Sequence, residues 1–241
     1  MAIIVLKNCL LLTGGLDFSK KSNDIKIDLD TVALPATGFR MDTKVTAPGL
    51  KTFKMDGTGF WSSGTNDISD TFFDNLSLSD QIISVSGEGN IGDVAMTLRA
   101  NEASFQSQGN VGDLLKVTMS QINGSLGDVI AGTVVDYSTY TASGNSAGQN
   151  LGAVSANQKL YCVLHVLEAS GTTPTLNGII QSDTDVGFAS PITRATFSQA
   201  TTYGAQWIEV DGAITDTWYR ASFTIGGTTP SFKVAIVLGV Q

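Results

Sequence analysis

"SNDIKIDLDTVAL", residues 22–34, decides what kind of chain this is. Ile25, Ile27 and Leu29 alternate with Lys26, Asp28 and Asp30, and a period of two gives a strand one apolar face and one charged face. Asp28 and Asp30 are the sort of pair that could ligate a metal. The D-x-D-x-D-G loop that calcium requires is absent, however, and the strand period turns both outward, so a solvated strand face is expected there.

The same signal recurs on both sides. "TAPGLKTFKMDGTGFW" (46–61) predicts a turn at Pro48–Gly49, a strand in which Phe53 and Met55 alternate with Lys54, a second turn at Asp56–Gly57, and an aromatic pair, Phe60 and Trp61. "TNDISDTFFDNLSL" (65–78) predicts the one short helix, near 66–76. Asn66 or Ser69 can cap it, acidic residues crowd its first turn where the helix dipole favours them, and Phe72, Phe73 and Leu76 share a side. Strand-like runs resume in "QIISVS", "DVAMTLRA", "DLLKVTMSQI" and "VIAGTVVDYSTYT". The small, uncharged stretch 146–158 has the composition of a linker or long loop. It divides the chain into a β domain at 1–145 and a second one, a β-sandwich of six strands, at 159–241. The repeated Gly-Thr-Thr-Pro at 171–174 and 227–230 predicts two equivalent hairpin turns within that sandwich. The expected fold class is all-β, with one short helix.

Composition agrees. Twenty-six glycines and few charges suit many strands and tight turns. A formal net charge of −8, with no basic run longer than Lys20–Lys21, argues against a phosphate-gripping surface. Cys9 and Cys162 form neither a disulfide framework nor a zinc pattern and are expected to be reduced and buried. "MAIIVLKNCLLLTGG" lacks a basic n-region before its apolar residues and predicts a first strand rather than a signal peptide. No run approaches the ~18 apolar residues of a membrane helix, so no membrane partner is expected.

Three motifs look like chemistry. "GEGNIG" (87–92) matches the dinucleotide fingerprint, but an alternating strand follows where a helix would have to begin, so a hairpin turn is expected. "GNSAG" (144–148) matches a nucleophile elbow around Ser146, yet no acid lies between Ser146 and the sole histidine, His165. His165 shares a strand face with Tyr161, Val163 and Leu167, and packing is its expected role. Trp207 and Trp218 could form a sugar-stacking platform but alternate with polar residues as packed aromatics do. Neither catalytic nor metal-binding nor cofactor-binding residues are expected, and the chain is not expected to be an enzyme.

The N-terminal half resembles the tail tube proteins of long-tailed bacteriophages. The residues that carry the resemblance are Gly15, Leu16, Asp17, Phe18 and Ser19 in a turn, Asn23 before a strand, Pro48, Gly49, Leu50 and Lys51, then Gly59 and Trp61. It covers about 1–140. The C-terminal part is similar to β-sandwich modules of phage virion proteins. The stretch 28–40 departs from the Asp/Thr-rich pattern usual in the loop that links neighbouring tube subunits. The resemblance implies a virion protein assembled in a bacterial cytoplasm, in which six copies close into rings and rings stack into a tube that DNA passes without sticking. Implied partners are further copies of the chain, a tape measure and a tail terminator. The alternative is a capsid decoration protein, trimeric and bound to the capsid protein.

Overall fold

The computed structural model describes residues 8–62, 67, 76, 79–124 and 129–241. Every regular element among the described residues is a β-strand, and the strand pairs whose register is described are antiparallel. The fold is therefore all-β. The helix expected near 66–76 lies outside the described residues, apart from Asp67 and Leu76.

The chain forms two compact units, one of Met1–Ser19, Ile82–Leu98 and Ile130–Gln241, the other of Lys20–Gln81 and Arg99–Val129. The division is not at 146–158. That stretch belongs to the first unit, where β9 (Gly144–Asn145) and β10 (Gln149–Asn150) pair with β14 (Trp218–Val240). Its small uncharged side chains let the backbone lie flat along a neighbouring strand, a role that composition does not separate from a free loop.

In the first unit the strands run in the order β12-β11-β14-β8-β6-β5-β1-β2. They comprise β1 (Leu10–Thr13), β2 (Leu16–Asp17), β5 (Gln81–Ser86), the start of β6 (Val94–Gln108), β8 (Val129–Tyr140), β11 (Lys159–Asp183), β12 (Ile192–Thr196) and β14, with β13 (Gly204–Asp211) also on β11. The centre is the β11–β14 pair, buried on both faces. Leu160, Cys162, Leu164 and Val166 of β11 join Val234, Ile236 and Leu238 of β14 in the largest core. On the opposite face Val163 and Val237 pack with Ala95 and Val134, and Leu167 and Ala235 with Leu10 and Leu12. Double burial explains the near-continuous apolar runs "YCVLHVL" and "KVAIVLGV".

Four strands, not six, lie in 159–241, because two of them are long and pass through the expected turns. Gly-Thr-Thr-Pro makes no hairpin. Its two copies face each other across the β11–β14 ladder, with Ser170 opposite Ser231 and Thr172 opposite Thr228, and the register slips on both sides of Thr172. Each copy is a bulge that puts a glycine and the second threonine at positive φ: 115° and 49° at Gly171 and Thr173, 112° and 48° at Gly227 and Thr229. A Cβ on Gly171 would stand 2.8 Å from the Thr229 carbonyl oxygen, and one on Gly227 2.8 Å from that of Thr173. Each glycine thus admits the other strand's backbone. The two hairpin turns expected from the motif do not form, because a bulge uses the same residues without reversing the chain.

The second unit is a four-stranded sheet in the order β3-β4-β7-β6: β3 (Ser22–Pro35), β4 (Thr46–Phe60), β7 (Lys116–Asn123) and the latter part of β6. Pro48–Gly49 and Asp56–Gly57, expected as turns, are both inside β4. At Gly57 the reason is packing, since a Cβ there would touch the Met119 side chain at 3.4 Å. At Gly49 it is the approach of the partner strand, the Val32 carbonyl oxygen lying 2.7 Å from where a Cβ would be.

Candidate assembly interface

The second unit's sheet has two unlike faces. Phe53, Met55, Gly57 and Gly59 of β4 and Val117, Met119 and Gln121 of β7 are buried, and Ile25, Ile27 and Leu29 extend that face through their pairing with Gly57, Met55 and Phe53. The opposite face is polar and open. Its charges interlock: Lys26 is opposite Asp56 and Asp28 opposite Lys54, while along each strand Lys26 meets Asp28 at 2.6 Å and Lys54 meets Asp56 at 2.9 Å. Hydrogen bonding and charge from Asp28 raise the Lys26 ammonium, and bonds from Lys54 and Ser120 hold the Asp56 carboxyl below its usual range. With Asp24, Asp30 and Lys116 this face of β3, β4 and β7 carries four aspartates against three lysines, a slightly negative surface with no cationic patch. Asp28 and Asp30 stand on it as the strand period required.

β3 and the latter part of β6 are the outer strands of the four. Among the described strands β3 pairs with β4 alone, and over Ala100–Gln108 β6 pairs with β7. Unpaired edges are templates for another chain. Beyond the sheet's body the β3–β4 hairpin continues as an arm in which every residue from Leu29 to Thr52 except Gly49 is exposed. At ~3.3 Å per residue it reaches about 20 Å past Phe53. Leu34, Met41, Val45 and Leu50 are exposed on it, and Phe39 at its tip is completely so. The tip is tied by Ala36 N–H to the Val45 carbonyl at 2.8 Å and by Val45 N–H to Thr37 Oγ1 at 2.9 Å. An arm that is apolar and exposed on both sides gains stability only by burial against something else.

In the first unit, the residues that carry the phage resemblance make a locked corner. Asp17 accepts hydrogen bonds from Ser19 N–H (3.1 Å), Ser19 Oγ (2.5 Å) and Tyr137 Oη (2.6 Å), with the Lys233 ammonium 3.3 Å away. Burial opposes ionisation, but the Ser19 and Tyr137 bonds and the lysine charge together hold its carboxyl below the usual range. Ser19 Oγ in turn accepts from Leu11 N–H. Gly15, at φ 92°, lies so close to Gly204 that a Cβ would be 2.3 Å from its backbone nitrogen. The motif is architectural.

The chemical candidates separate in space. Ser146 Oγ accepts from Ala221 N–H and donates to the Ala147 carbonyl, so it is a strand-pairing serine with no base beside it. His165 is fully buried, with Nε2 2.9 Å from Ser84 Oγ, which is 2.9 Å from Thr97 Oγ1. Thr97 spends its proton on the Ile83 carbonyl, so Ser84 must donate to Thr97 and His165 must donate from Nε2. Nδ1 is unpaired, and burial, which lowers the pKa to about 3, keeps the imidazole neutral. "GEGNIG" is the β5–β6 turn, with Gly89 and Gly92 at positive φ. Trp207 packs beside the Val163 cluster, edge-on to Tyr161, and donates to Glu209 at 3.2 Å; Trp218 begins β14 and is half-buried. Cys162 is buried, its thiol pushed up to about 12 by desolvation, whereas Cys9 is only half-buried and was expected inside. Among the described residues no group of three or more His, Cys, Asp or Glu side chains could hold a metal.

A feature that sequence inspection missed is Glu102. It faces Gln121 across the β6–β7 ladder; both side chains are buried, and none of their polar atoms has a partner. Desolvation raises the Glu102 carboxyl to about 8. The bulge between Glu102 and Ser104 hid it, because strict alternation carried across that step assigns the residues before and after it to inconsistent faces.

No family model matches the chain, and no curated protein does. Similar solved structures exist at low identity. The Dit protein (gp 19.1) of phage SPP1, described as a paradigm of the hub adsorption apparatus in phages that infect Gram-positive bacteria, is 11% identical, with 98% of this chain and 100% of that one covered at a TM-score of 0.37. The SPP1 tail tube structure is 12% identical over 56% of this chain and 81% of that one, at 0.44. A chain from the virion of a native gene transfer agent particle is 10% identical over 52% and 95%, at 0.40.

Proposed function

We propose that the chain is a structural subunit of a phage tail that closes into rings through the sheet of its second unit, and that six copies form the ring of a stacked tail tube. The observation that carries this is the strand order of one four-stranded antiparallel sheet, which sets β3 and β6 as its outer strands. Strand directions alternate from β3 to β6, so β6 of one copy and β3 of the next are antiparallel when set side by side. An even number of strands per copy lets that alternation close at any copy number, and closure removes every edge. Six copies give 24 strands, and at ~4.8 Å spacing and ~40° tilt the barrel is about 48 Å across between backbones.

The polar face then lines the channel, because the other is already covered. Its interlocked aspartates and lysines, slightly negative in sum, give a phosphate backbone nothing to displace counterions against, so DNA passes without binding. The residues that resemble tail tube proteins support the same conclusion, since they build the corner from which β3 departs. A single ring that does not stack would close through the same edges.

The test is the native mass of the purified full-length chain, followed by electron microscopy. A hexameric mass with rings or tubes supports the proposal. A trimer that binds only heads identifies a capsid decoration protein, and a monomer at tens of micromolar rejects ring formation.

A further inference from the structure

Four polar atoms are stranded inside the second unit. Glu102 of β6 stands opposite Gln121 of β7. The two residues are 5% and 0% exposed, and neither the carboxyl oxygens of the one nor the amide oxygen and nitrogen of the other have a hydrogen-bond partner. Buried polar groups are normally paired, because an unpaired one forfeits its hydration for nothing. The surroundings supply no partner. On the same face Gln121 is beside Met55 of β4, Met55 is beside Ile27 of β3, and Met119 pairs with Phe105 further along the ladder. The charged side chains of these strands' paired body, Asp24, Lys26, Asp28, Asp30, Lys54, Asp56 and Lys116, belong to the opposite face, and Arg99, ahead of the pair on β6, is bonded to Asp80 at 3.1 Å. Burial alone raises the Glu102 carboxyl, to about 8, with no described charge acting on it.

One proton satisfies all four atoms. Directly opposed residues have Cβ atoms about 5 Å apart, within reach of these two side chains. A neutral carboxyl donates from its O–H to Gln121 Oε1 and accepts from Gln121 Nε2 on its other oxygen, which closes a ring of two hydrogen bonds. A carboxylate has no donor for Gln121 Oε1, and apolar neighbours do not solvate its charge. The ladder is interrupted at the next step. The register slips between Glu102 and Ser104, which leaves Ala103 out of the pairing, and Ser104–Gln108 continues the strand beyond it.

We infer that Glu102 and Gln121 form a proton-operated latch on the outer strand of the second unit: with a proton on the carboxyl the pair closes, and when that proton passes to solvent the pair opens and releases β6 beyond its bulge. The latch itself is a property of the single chain. Its consequence for assembly rests on the ring-forming function proposed above, in which the Ala100–Gln108 part of β6 meets β3 of the next copy. Alkaline conditions then dissolve the ring by loosening one of the two strands that close it.

Infrared spectroscopy of the full-length chain reads the proton directly. Wild type at pH 7 is expected to show a protonated-carboxyl C=O band that disappears as pH passes about 8 and that Glu102→Gln lacks. Hydrogen exchange reads the opening. Between the ordinary carboxyl value of 4.5 and about 8, each pH unit favours the open form about tenfold, and less near 8, where the closed form itself ionises. From pH 6 to pH 8 the protection of the β6 and β7 amides is expected to fall about fiftyfold in wild type. It should hold in Glu102→Gln, whose amide pairs with Gln121 and cannot titrate. Wild-type rings are expected to come apart by pH 9, and those of Glu102→Gln to persist. No acid band at pH 7, or an equal loss of protection in both proteins, overturns the latch. Wild-type rings as abundant at pH 9 as at pH 6 overturn its link to assembly. A chain that forms no ring at any pH, while the band and the exchange behave as stated, defeats the proposed function and not the latch.

Discussion

Acid should weaken the first unit through one side chain, His165. The proton order from His165 Nε2 through Ser84 and Thr97 to the Ile83 carbonyl fixes a proton on Nε2, and protonating Nδ1 as well would place a charged, unpartnered N–H in a fully buried site. The unfolded chain takes up that proton near the ordinary imidazole value of 6.5 and the folded chain only near about 3. The unfolded state therefore binds more protons between those limits, and stability is complete above pH 6.5 and declines as pH falls toward 3. At ~1.4 kcal/mol per pH step below 6.5, a fall from pH 7 to pH 4.5 removes roughly 3 kcal/mol, which is large against a typical total of ~5–15 kcal/mol. His165→Gln keeps an amide donor near the position of Nε2 and cannot titrate. Hydrogen exchange of the β11 amides, followed from pH 7 to pH 4.5, should show protection falling by about a hundredfold in wild type and much less in the variant. An equal loss in both would refute the assignment of the acid sensitivity to His165.

Other outcomes follow from the same geometry. Glu102 has the opposite sign: its raised folded pKa makes its contribution complete below about 4.5 and lost as pH rises through about 8, so Glu102→Gln should hold the second unit's urea midpoint nearly constant from pH 6 to 9 while wild type declines. Gly15→Ala forces a Cβ into the Gly204 backbone at positive φ and should cost about 3 kcal/mol, measured as a lowered denaturation midpoint. Cys162, with its thiol near 12 and buried, should resist alkylating reagents in the native protein at pH 8, and labelling of Cys9 should be the faster of the two by mass spectrometry.

Much of this architecture was legible in the sequence where one face of a strand is wet. The alternation at Ile25–Asp30 identified β3 and both of its faces, and the glycines of "GEGNIG" marked a turn because an alternating strand follows them. It was least legible where glycine and proline serve the sheet's interior. Gly171 and Gly227 admit an opposing backbone, and Gly57 admits Met119; nothing in the local sequence distinguishes these needs from a chain reversal. The division between units was hidden for a topological reason. Strands β6 and β8 leave one unit's residues for the other's partway along the chain, so no linker composition marks the boundary. The candidate interface was half visible: the polar face of β3 could be seen, but which strands lie outermost is a property of strand order.

The most direct test is a cryo-electron microscopy map of the assembled full-length chain at a resolution that traces strands. The expected map shows β3 of each copy hydrogen-bonded antiparallel to the Ala100–Gln108 part of β6 in its neighbour, with Asp28, Lys54 and Thr118 facing the channel. A ring whose copies meet through other strands, with β3 and β6 still unpaired, would contradict it.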